Sequence, residues 1–456
     1  MTEVVGDVSA ALAAALPGRV VTDRGAMEAY RRDQCLLAPA GHPAAVVRAR
    51  STDDVIATLR TAGDHRVPVV TRGAGTGLAG AANAIDGCVV LSLAAMDRIL
   101  ALDVAGRTAT VEPGVVTGDL DARAREHGLW YPPDPGSKAI STIGGNLATN
   151  AGGMCCAKYG VTADHVAALT AVLPDGRVIR TGPPTRKNVT GLDLTRLLVG
   201  SEGTLAVIVD ATVRLRPFPT ATATAVAAFP TPQQAVDTVL QIAEVADPAA
   251  VELMDRTCIR AVNRLTRMGL DESAGALVLV QCDGPSAGQE AATFARLAEA
   301  GGAIEVLHTA DPTEGEMFMQ ARRTVYPALE RLGTTLLDDV GVAVQDLPRL
   351  LAAIERTAAH HGVLVGTFGH AADGNLHPTI VYDAADRDAA ERAGAAFDDI
   401  VAAALALGGT ITGEHGVGSL KTPYLDAQLG PTERELMTGI KAVFDPEGIL
   451  NPGRAY

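Results

Sequence analysis

A chain of 456 residues with 47% apolar and 20% charged side chains is too long for one ordinary core and too apolar to be disordered, which leaves two or three globular domains. The 38 basic and 53 acidic residues give a formal charge of −15, and aromatic residues make up 3% of the chain. An acidic surface repels phosphate backbones and few rings are available for base stacking, so nucleic acid is excluded as a partner.

The first apolar stretch, Val8 to Leu16, follows Glu3 and Asp7 rather than basic residues, which reads as a short amphipathic helix and not a secretory leader. Nowhere does an apolar run approach the ~18 residues of a transmembrane helix, so no membrane span is expected. The cysteines (Cys35, Cys88, Cys155, Cys156, Cys258, Cys282) show no paired spacing, which suits reduced thiols in a cytoplasmic protein. Val47 to Arg60 reads as a strand edge leading into a helix capped by Thr52 or Asp53. Strands follow at Val67–Val70, Cys88–Leu93 and Arg107–Val111, then a helix over Thr117–His127. Further strands are expected at Ala167–Leu173, ended by Pro174-Asp175-Gly176, and at Thr204–Leu215. Two prolines in Arg216-Pro217-Phe218-Pro219-Thr220 mark a boundary. Beyond it, strands at Thr224–Phe229, Ala250–Met254, Ala276–Gln281 and Ala303–His308 alternate with helices at Pro232–Ala246 and Ala287–Ala300. That rhythm suits a sheet with helices on one face, and the whole chain reads as α+β. The Pro/Gly-rich tail, Pro446 to Tyr456, needs a docking site to be ordered.

Thr71-Arg72-Gly73-Ala74-Gly75-Thr76-Gly77 follows an apolar strand and has the composition of a phosphate cradle, in which glycines let successive N–H groups converge on an anion. By itself it fits a tight glycine turn equally well. No Lys-Ser/Thr follows, so it is not a Walker loop, and the Rossmann pattern is weak. Downstream come Tyr131-Pro132-Pro133-Asp134-Pro135-Gly136-Ser137, then Thr142-Ile143-Gly144-Gly145-Asn146-Leu147-Ala148-Thr149-Asn150-Ala151-Gly152-Gly153, then Lys158-Tyr159-Gly160 and Gly200-Ser201-Glu202-Gly203-Thr204-Leu205. In this order the motifs resemble the FAD domain of vanillyl-alcohol-oxidase-type (PCMH-type) flavoproteins.

The resemblance implies that Arg72, Gly73, Ala74, Gly75, Thr76 and Gly77 hold the FAD pyrophosphate. It places Pro133, Asp134, Gly136, Ser137, Thr142, Gly144, Gly145 and Ala148 along the flavin and ribityl chain. Gly152, Gly153 and Tyr159 would continue that wall, with Glu202, Gly203 and Ile208 toward the adenosine end. Members that bind flavin covalently use a His in or near the first loop. This loop has none, so dissociable, non-covalent FAD is expected.

Gly369-His370-Ala371-Ala372-Asp373-Gly374-Asn375-Leu376-His377-Pro378 lies between two apolar runs, and its Asp-Gly turn places the histidines at the ends of neighbouring strands. Farther on is Thr412-Gly413-Glu414-His415-Gly416-Val417-Gly418. Two imidazoles and a carboxylate with an open position suit Zn²⁺, Mn²⁺ or Fe²⁺, although either segment alone also fits histidines hydrogen-bonded at turns. Neighbouring side chains of an extended segment point opposite ways, so Glu414 and His415 are expected to serve different partners.

Together these segments resemble the C-terminal domain of the D-2-hydroxyacid dehydrogenases, the family of glycolate oxidase D subunits and D-lactate dehydrogenases. The resemblance implies a divalent metal, Zn²⁺ or Mn²⁺, on His370, His377 and Glu414, with His415 as catalytic base. It implies that Arg322 binds the substrate carboxylate, while Arg323 reads as a solvated helix face, and that Asn451 folds back toward the flavin. Glu252-Leu253-Met254-Asp255 matches a strand of the family and fits plain core packing equally. Thr334-Thr335-Leu336-Leu337-Asp338-Asp339 lacks the Lys of dicarboxylate-specific members, which favours a monocarboxylate.

The expected arrangement is a two-subdomain FAD-binding domain over 1–217 and an α+β substrate domain of ferredoxin-like character over 218–410. A segment over 411–456 would close over the flavin. The expected reaction is oxidation of a small-molecule D-2-hydroxy acid, D-lactate or glycolate, to the 2-oxo acid by hydride transfer to flavin N5. A flavin oxidase or lyase acting on another alcohol, or a subunit of a multi-component oxidase, remains as an alternative. The chain has no cysteine cluster for an iron–sulfur centre. An electron-transfer subunit, a quinone, a cytochrome or oxygen therefore remains open as acceptor, as does a homodimer.

Overall fold

The computed structural model describes residues 2–183, 185 and 187–456. The chain divides into two units. Met1–Gly153, Gly160–Phe218 and Glu414–Tyr456 make up the first; Met154–Tyr159 and Pro219–Gly413 make up the second.

The first unit opens with the expected helix, Thr2–Ala15, which buries Val8 and Leu12 one turn apart. Three parallel strands follow in the spatial order Ala45–Arg48, Val89–Ser92, Val69–Arg72, with Val20–Val21 antiparallel at one edge. A central parallel strand has no solvent side, which is why all of Val-Val-Leu-Ser at Val89–Ser92 is buried. The helix Thr52–Asp64 is capped one residue before the expected Thr52 or Asp53: Ser51 has the extended backbone a cap requires, and its Oγ accepts from the Asp54 amide at 3.2 Å.

The unit's second sheet is antiparallel, in the order Ile99–Asp103, Thr108–Val111, Val207–Arg214, Val166–Val172, Val178–Thr181. A β-bulge between Ile208 and Asp210 lets one strand serve two cores. Val207 and Val209 pack with the parallel sheet, while Ile208, Ala211 and Val213 pack with Ile143 and Leu147. The C-terminal tail docks on the parallel sheet, where the Val69 amide donates to the Ile449 carbonyl at 2.7 Å and the Asn451 amide to the Val69 carbonyl at 2.9 Å.

The second unit is built on one eight-stranded sheet. Its central strands run antiparallel in the order Thr222–Phe229, Ala276–Asp283, Ala250–Asp255, Leu364–His370, Asn375–Tyr382. Sequence rhythm suggested helices on one face; both faces are covered. Along Ala276–Asp283, Leu277 and Leu279 join a core with the helices Arg256–Thr266, Pro312–Arg323 and Val325–Glu330. Val278 and Val280, which point the other way, are buried as well, on the side of Pro232–Ala243 and Ala287–Ala300.

Candidate active site

Two sets of functional side chains are built, one within each unit. In the first unit the glycine loop leaves the strand Val69–Arg72, and at its start Arg72 folds back into the protein. Gly75 has φ +75°, and a Cβ there would stand 2.0 Å from Arg72 Nη2. At Gly73 a Cβ would stand 2.4 Å from Thr142 Oγ1. These two glycines therefore permit the close approach of the loop to the buried guanidinium and to the cap of the helix Ile143–Thr149, where Thr142 Oγ1 accepts from Gly145 N. Burial lowers the Arg72 pKa, opposed by the nearby Asp33, and burial pushes Asp33 up to about 6.

Other expected cofactor residues gather around the same cap. The Glu202 amide donates to the Ala148 carbonyl at 2.8 Å, and the Glu202 carboxylate accepts from the Val417 and Gly418 amides at 2.6 and 2.8 Å. Asn451 Nδ2 donates to the carbonyls of Ala81 at 3.0 Å and Glu202 at 2.8 Å. Glu202 and Gly203 both hold positive φ, at +50° and +70°. Gly153 packs so tightly on Asp134 that a Cβ would meet its carbonyl oxygen at 2.4 Å. Pro133 is buried, and the turn from Gly136 through Ser137 is closed by the Ser141 amide donating to the Ser137 carbonyl at 2.8 Å. Gly144 lies against Pro113, its amide 2.7 Å from the Pro113 carbonyl.

Arg72 Nη1, Thr71 Oγ1 and Asn451 Oδ1 are buried with no hydrogen-bond partner among the described residues. Unsatisfied donors and acceptors beside a glycine run suit a polar ligand bearing phosphates and hydroxyls, as FAD does. Two further expected residues have these surroundings. Ile208 is in the core with Ile143 and Leu147. Tyr159 belongs to the second unit, where its hydroxyl donates to Asp283 Oδ2 at 2.6 Å beside Lys158, whose Nζ is 2.6 Å from Asp283 Oδ1.

The second unit carries the histidines on one sheet face. His370 ends one strand and His377 lies on the next, joined by the Asp373-Gly374 turn with Gly374 at φ +78°. Cross-strand neighbours share a face, and the register pairs Glu252 with His370, Met254 with Phe368, and Phe368 with His377. A row of Glu252, His370 and His377 thus crosses three adjacent strands. The two imidazoles meet with Nε2 atoms 3.3 Å apart. Behind each ring stands a fully buried carboxylate: Glu252 Oε1 lies 2.6 Å from His370 Nδ1, and Asp339 Oδ1 lies 3.7 Å from His377 Nδ1.

Neither carboxylate stood out as functional from sequence. The signal for Glu252 was a lone acid between Val251 and Leu253 in an apolar strand, where a buried charge requires a partner. Nitrogens converging from the front, with Glu252 holding the far nitrogen of His370, form a donor set that fits a divalent cation.

Arg322, in the last turn of Pro312–Arg323, is buried. Its Nε donates to Glu252 Oε2 at 2.5 Å, and its guanidinium lies 4.6 Å from the centre of the Phe368 ring. Its two Nη groups make no hydrogen bond among the described residues. Arg323 instead pairs with Glu316 at the surface, as its reading as a solvated position expected.

In the first unit, Glu414 and His415 lie in a bend, both partly exposed, with Gly416 at φ +85°. Their side chains approach to 3.6 Å between Oε1 and Nε2. The divergence expected of an extended segment is absent because the chain is bent there.

A family model described as FAD linked oxidases, C-terminal domain, matches residues 218–455, and one described as FAD binding domain matches residues 43–182. The glycolate oxidase subunit GlcD of Bacillus subtilis (strain 168) is 42% identical over 418 residues, covering 91% of this chain and 89% of that protein. A D-lactate dehydrogenase of Anaerostipes hadrus is 35% identical over 451 residues, covering 96% and 94%. The solved structure of p-cresol methylhydroxylase with substrate bound shares the fold with a TM-score of 0.84 at 18% identity, over 100% of this chain and 97% of that one.

Proposed function

The chain belongs to the FAD-linked oxidase family and has the α+β, vanillyl-alcohol-oxidase-type fold expected of it, and from that premise we propose that it oxidises a D-2-hydroxy acid, D-lactate or glycolate, to the 2-oxo acid. The observation that carries the proposal is the row in the second unit. There two imidazole Nε2 atoms stand 3.3 Å apart, and Arg322 is anchored to the carboxylate that holds one of those rings.

FAD, held without a covalent link by the Arg72–Gly77 loop, the Thr142 cap and the Glu202–Asn451 region, supplies the two-electron acceptor. His370, His377 and Glu414 would hold a divalent cation, Zn²⁺ or Mn²⁺, which would supply Lewis acidity. Arg322 offers its unbonded Nη edge to the substrate carboxylate, a match of planar fork to planar anion. Phe368 backs the guanidinium and restricts its swing. His415 takes the hydroxyl proton as C2 is oxidised, since an imidazole titrates in the neutral range. Glu414 and His415 follow Gly413 directly in the chain, and the Gly413 amide is donated to Asp339 at 2.9 Å, the same carboxylate that faces His377. The absence of a Lys between Thr334 and Asp339 supports a monocarboxylate over a dicarboxylate.

An external acceptor, whether a partner electron-transfer subunit, a quinone, a cytochrome or oxygen, would take up the electrons. Four of the six cysteines, Cys35, Cys88, Cys258 and Cys282, are buried and carry no cluster spacing. The test is anaerobic flavin reduction of metal-analysed protein by a panel of D- and L-2-hydroxy acids. Bleaching by D-lactate or glycolate, abolished by chelation and restored by metal, is the expected result. A flavin that no 2-hydroxy acid reduces in metal-replete protein overturns the reading.

A further inference from the structure

Glu252 is fully buried, and both of its oxygens are engaged. Oε1 lies 2.6 Å from His370 Nδ1 and Oε2 accepts from Arg322 Nε at 2.5 Å. The strand register fixes the first contact, because Glu252 and His370 are direct cross-strand partners. The second comes from the end of the helix Pro312–Arg323, seated on Phe368.

An ionised carboxylate is acceptor-only, so the His370 ring must present Nδ1–H to it, which leaves the lone pair of the neutral ring on Nε2, facing His377. By the same logic, Arg322 gives its Nε–H to Glu252 and keeps both Nη groups for another anion. We infer that Glu252 is a positioning residue shared by two sites, committing His370 to the tautomer that can ligate through Nε2 and aiming the Nη edge of Arg322. Metal affinity and substrate-carboxylate affinity then depend on one buried side chain. The inference rests on the metal and carboxylate roles proposed above for His370 and Arg322.

Glu252→Gln separates this from a merely structural role. An amide has one acceptor and one donor end, so it cannot accept from both His370 and Arg322. If its oxygen faces Arg322, its NH₂ faces His370 Nδ1 and drives the proton to Nε2, where it blocks the lone pair. If the amide turns over, two donors confront each other at Arg322. FAD-loaded, metal-depleted protein is titrated with Mn²⁺, the free ion being read by its paramagnetic resonance signal, and FAD content and melting are recorded alongside.

The expected result is Mn²⁺ affinity roughly 10- to 100-fold weaker, with FAD content retained, and a raised KM for the D-2-hydroxy acid. Wild-type Mn²⁺ affinity in a folded Glu252→Gln protein overturns the inference and leaves the metal reading standing. Wild-type protein that takes up neither Mn²⁺ nor Zn²⁺ overturns that reading, and the inference with it. If the variant does not fold, wild-type protein with ¹⁵N-labelled histidine decides. A resonance absent from His370→Ala and showing protonated Nδ1 with bare Nε2 supports the inference, and protonated Nε2 overturns it.

Discussion

Asp339 accepts the Gly413 amide at 2.9 Å while its other oxygen faces His377 Nδ1 at 3.7 Å, so one fully buried carboxylate stands against both a candidate metal ligand and the residue that precedes Glu414. The same group accepts from Asn375 Nδ2 and from Thr412 Oγ1, each at 2.7 Å. Asp339→Asn keeps the volume but turns a donor toward groups that are already donors. It should destabilise the protein by about 1–3 kcal/mol and lower turnover by roughly 10- to 100-fold. Denaturant melts and steady-state kinetics check this, and wild-type turnover in the folded variant would show that the carboxylate supports the fold alone.

Gly75 offers a cleaner contrast for the cofactor loop. A methyl group there would enter the Arg72 guanidinium at a backbone φ of +75°, whereas Gly128, at φ +68°, has nothing within 4 Å of the same position. Both alanine variants carry a left-handed backbone penalty of about 1–2 kcal/mol. Gly75→Ala must also displace Arg72, so its FAD affinity should fall at least about tenfold, while Gly128→Ala binds FAD as wild type does. Fluorescence titration of the two apoproteins makes the comparison, and equal affinities would remove Arg72 from the cradle.

The glycine loop and the His370–His377 turn were legible in the sequence because each is local: an apolar strand, then residues that permit a particular backbone turn. The alternation of strands and helices was legible for the same reason. Glu252 and Asp339 were not. The Glu252 contacts to His370 and Arg322 span 118 and 70 residues of chain, and they depend on a strand register that composition cannot supply. The same holds for Lys158 and Tyr159, which share Asp283 across 125 and 124 residues of chain. The one-residue difference at Ser51 came from two adjacent residues that could each cap a helix, whereas backbone geometry selects one position.

The tail is a second route to the cofactor region. Arg454 Nε donates to the Gly80 carbonyl at 3.1 Å and its Nη2 to the Asn83 carbonyl at 3.3 Å, while Asn451 holds Ala81. The loop that follows the glycine run is thus tied to the last residues of the chain. Arg454→Ala leaves those buried carbonyls short of a donor and should cost about 2–3 kcal/mol. FAD release should quicken in this variant before global unfolding, which stopped-flow fluorescence against thermal melting would show. Loss of stability with unchanged FAD release would confine Arg454 to the fold.

His415→Ala tests the proposed base apart from the cofactor. His415 lies in a bend that Gly416 shapes, outside the glycine loop, and the substitution removes an imidazole with little backbone consequence. The variant should retain FAD and be reduced by D-lactate or glycolate at least about 100-fold more slowly than wild type. Rapid-mixing anaerobic spectra provide the check, and fast bleaching would take the proton-accepting role away from His415.

Glu202 sets a pH dependence whose sign follows from its burial. Burial pushes its carboxyl up to about 7 from an ordinary value of 4.5, against the lowering effect of the Val417 and Gly418 amides. Between those values the folded protein keeps a proton that the unfolded chain has released. The contribution is therefore fully present below 4.5, falls as pH rises, and is lost above about 7. A shift of this size is worth at most about 3 kcal/mol. Asp33 and Asp255, each raised to about 6 by burial, act in the same direction. Apoprotein stability should thus be lower at about pH 8 than at about pH 5. Glu202→Gln, which cannot titrate, should be less stable throughout because its NH₂ faces a backbone N–H, yet should show a shallower slope. Identical slopes for variant and wild type in denaturant melts would mean that Glu202 is ionised across the whole range.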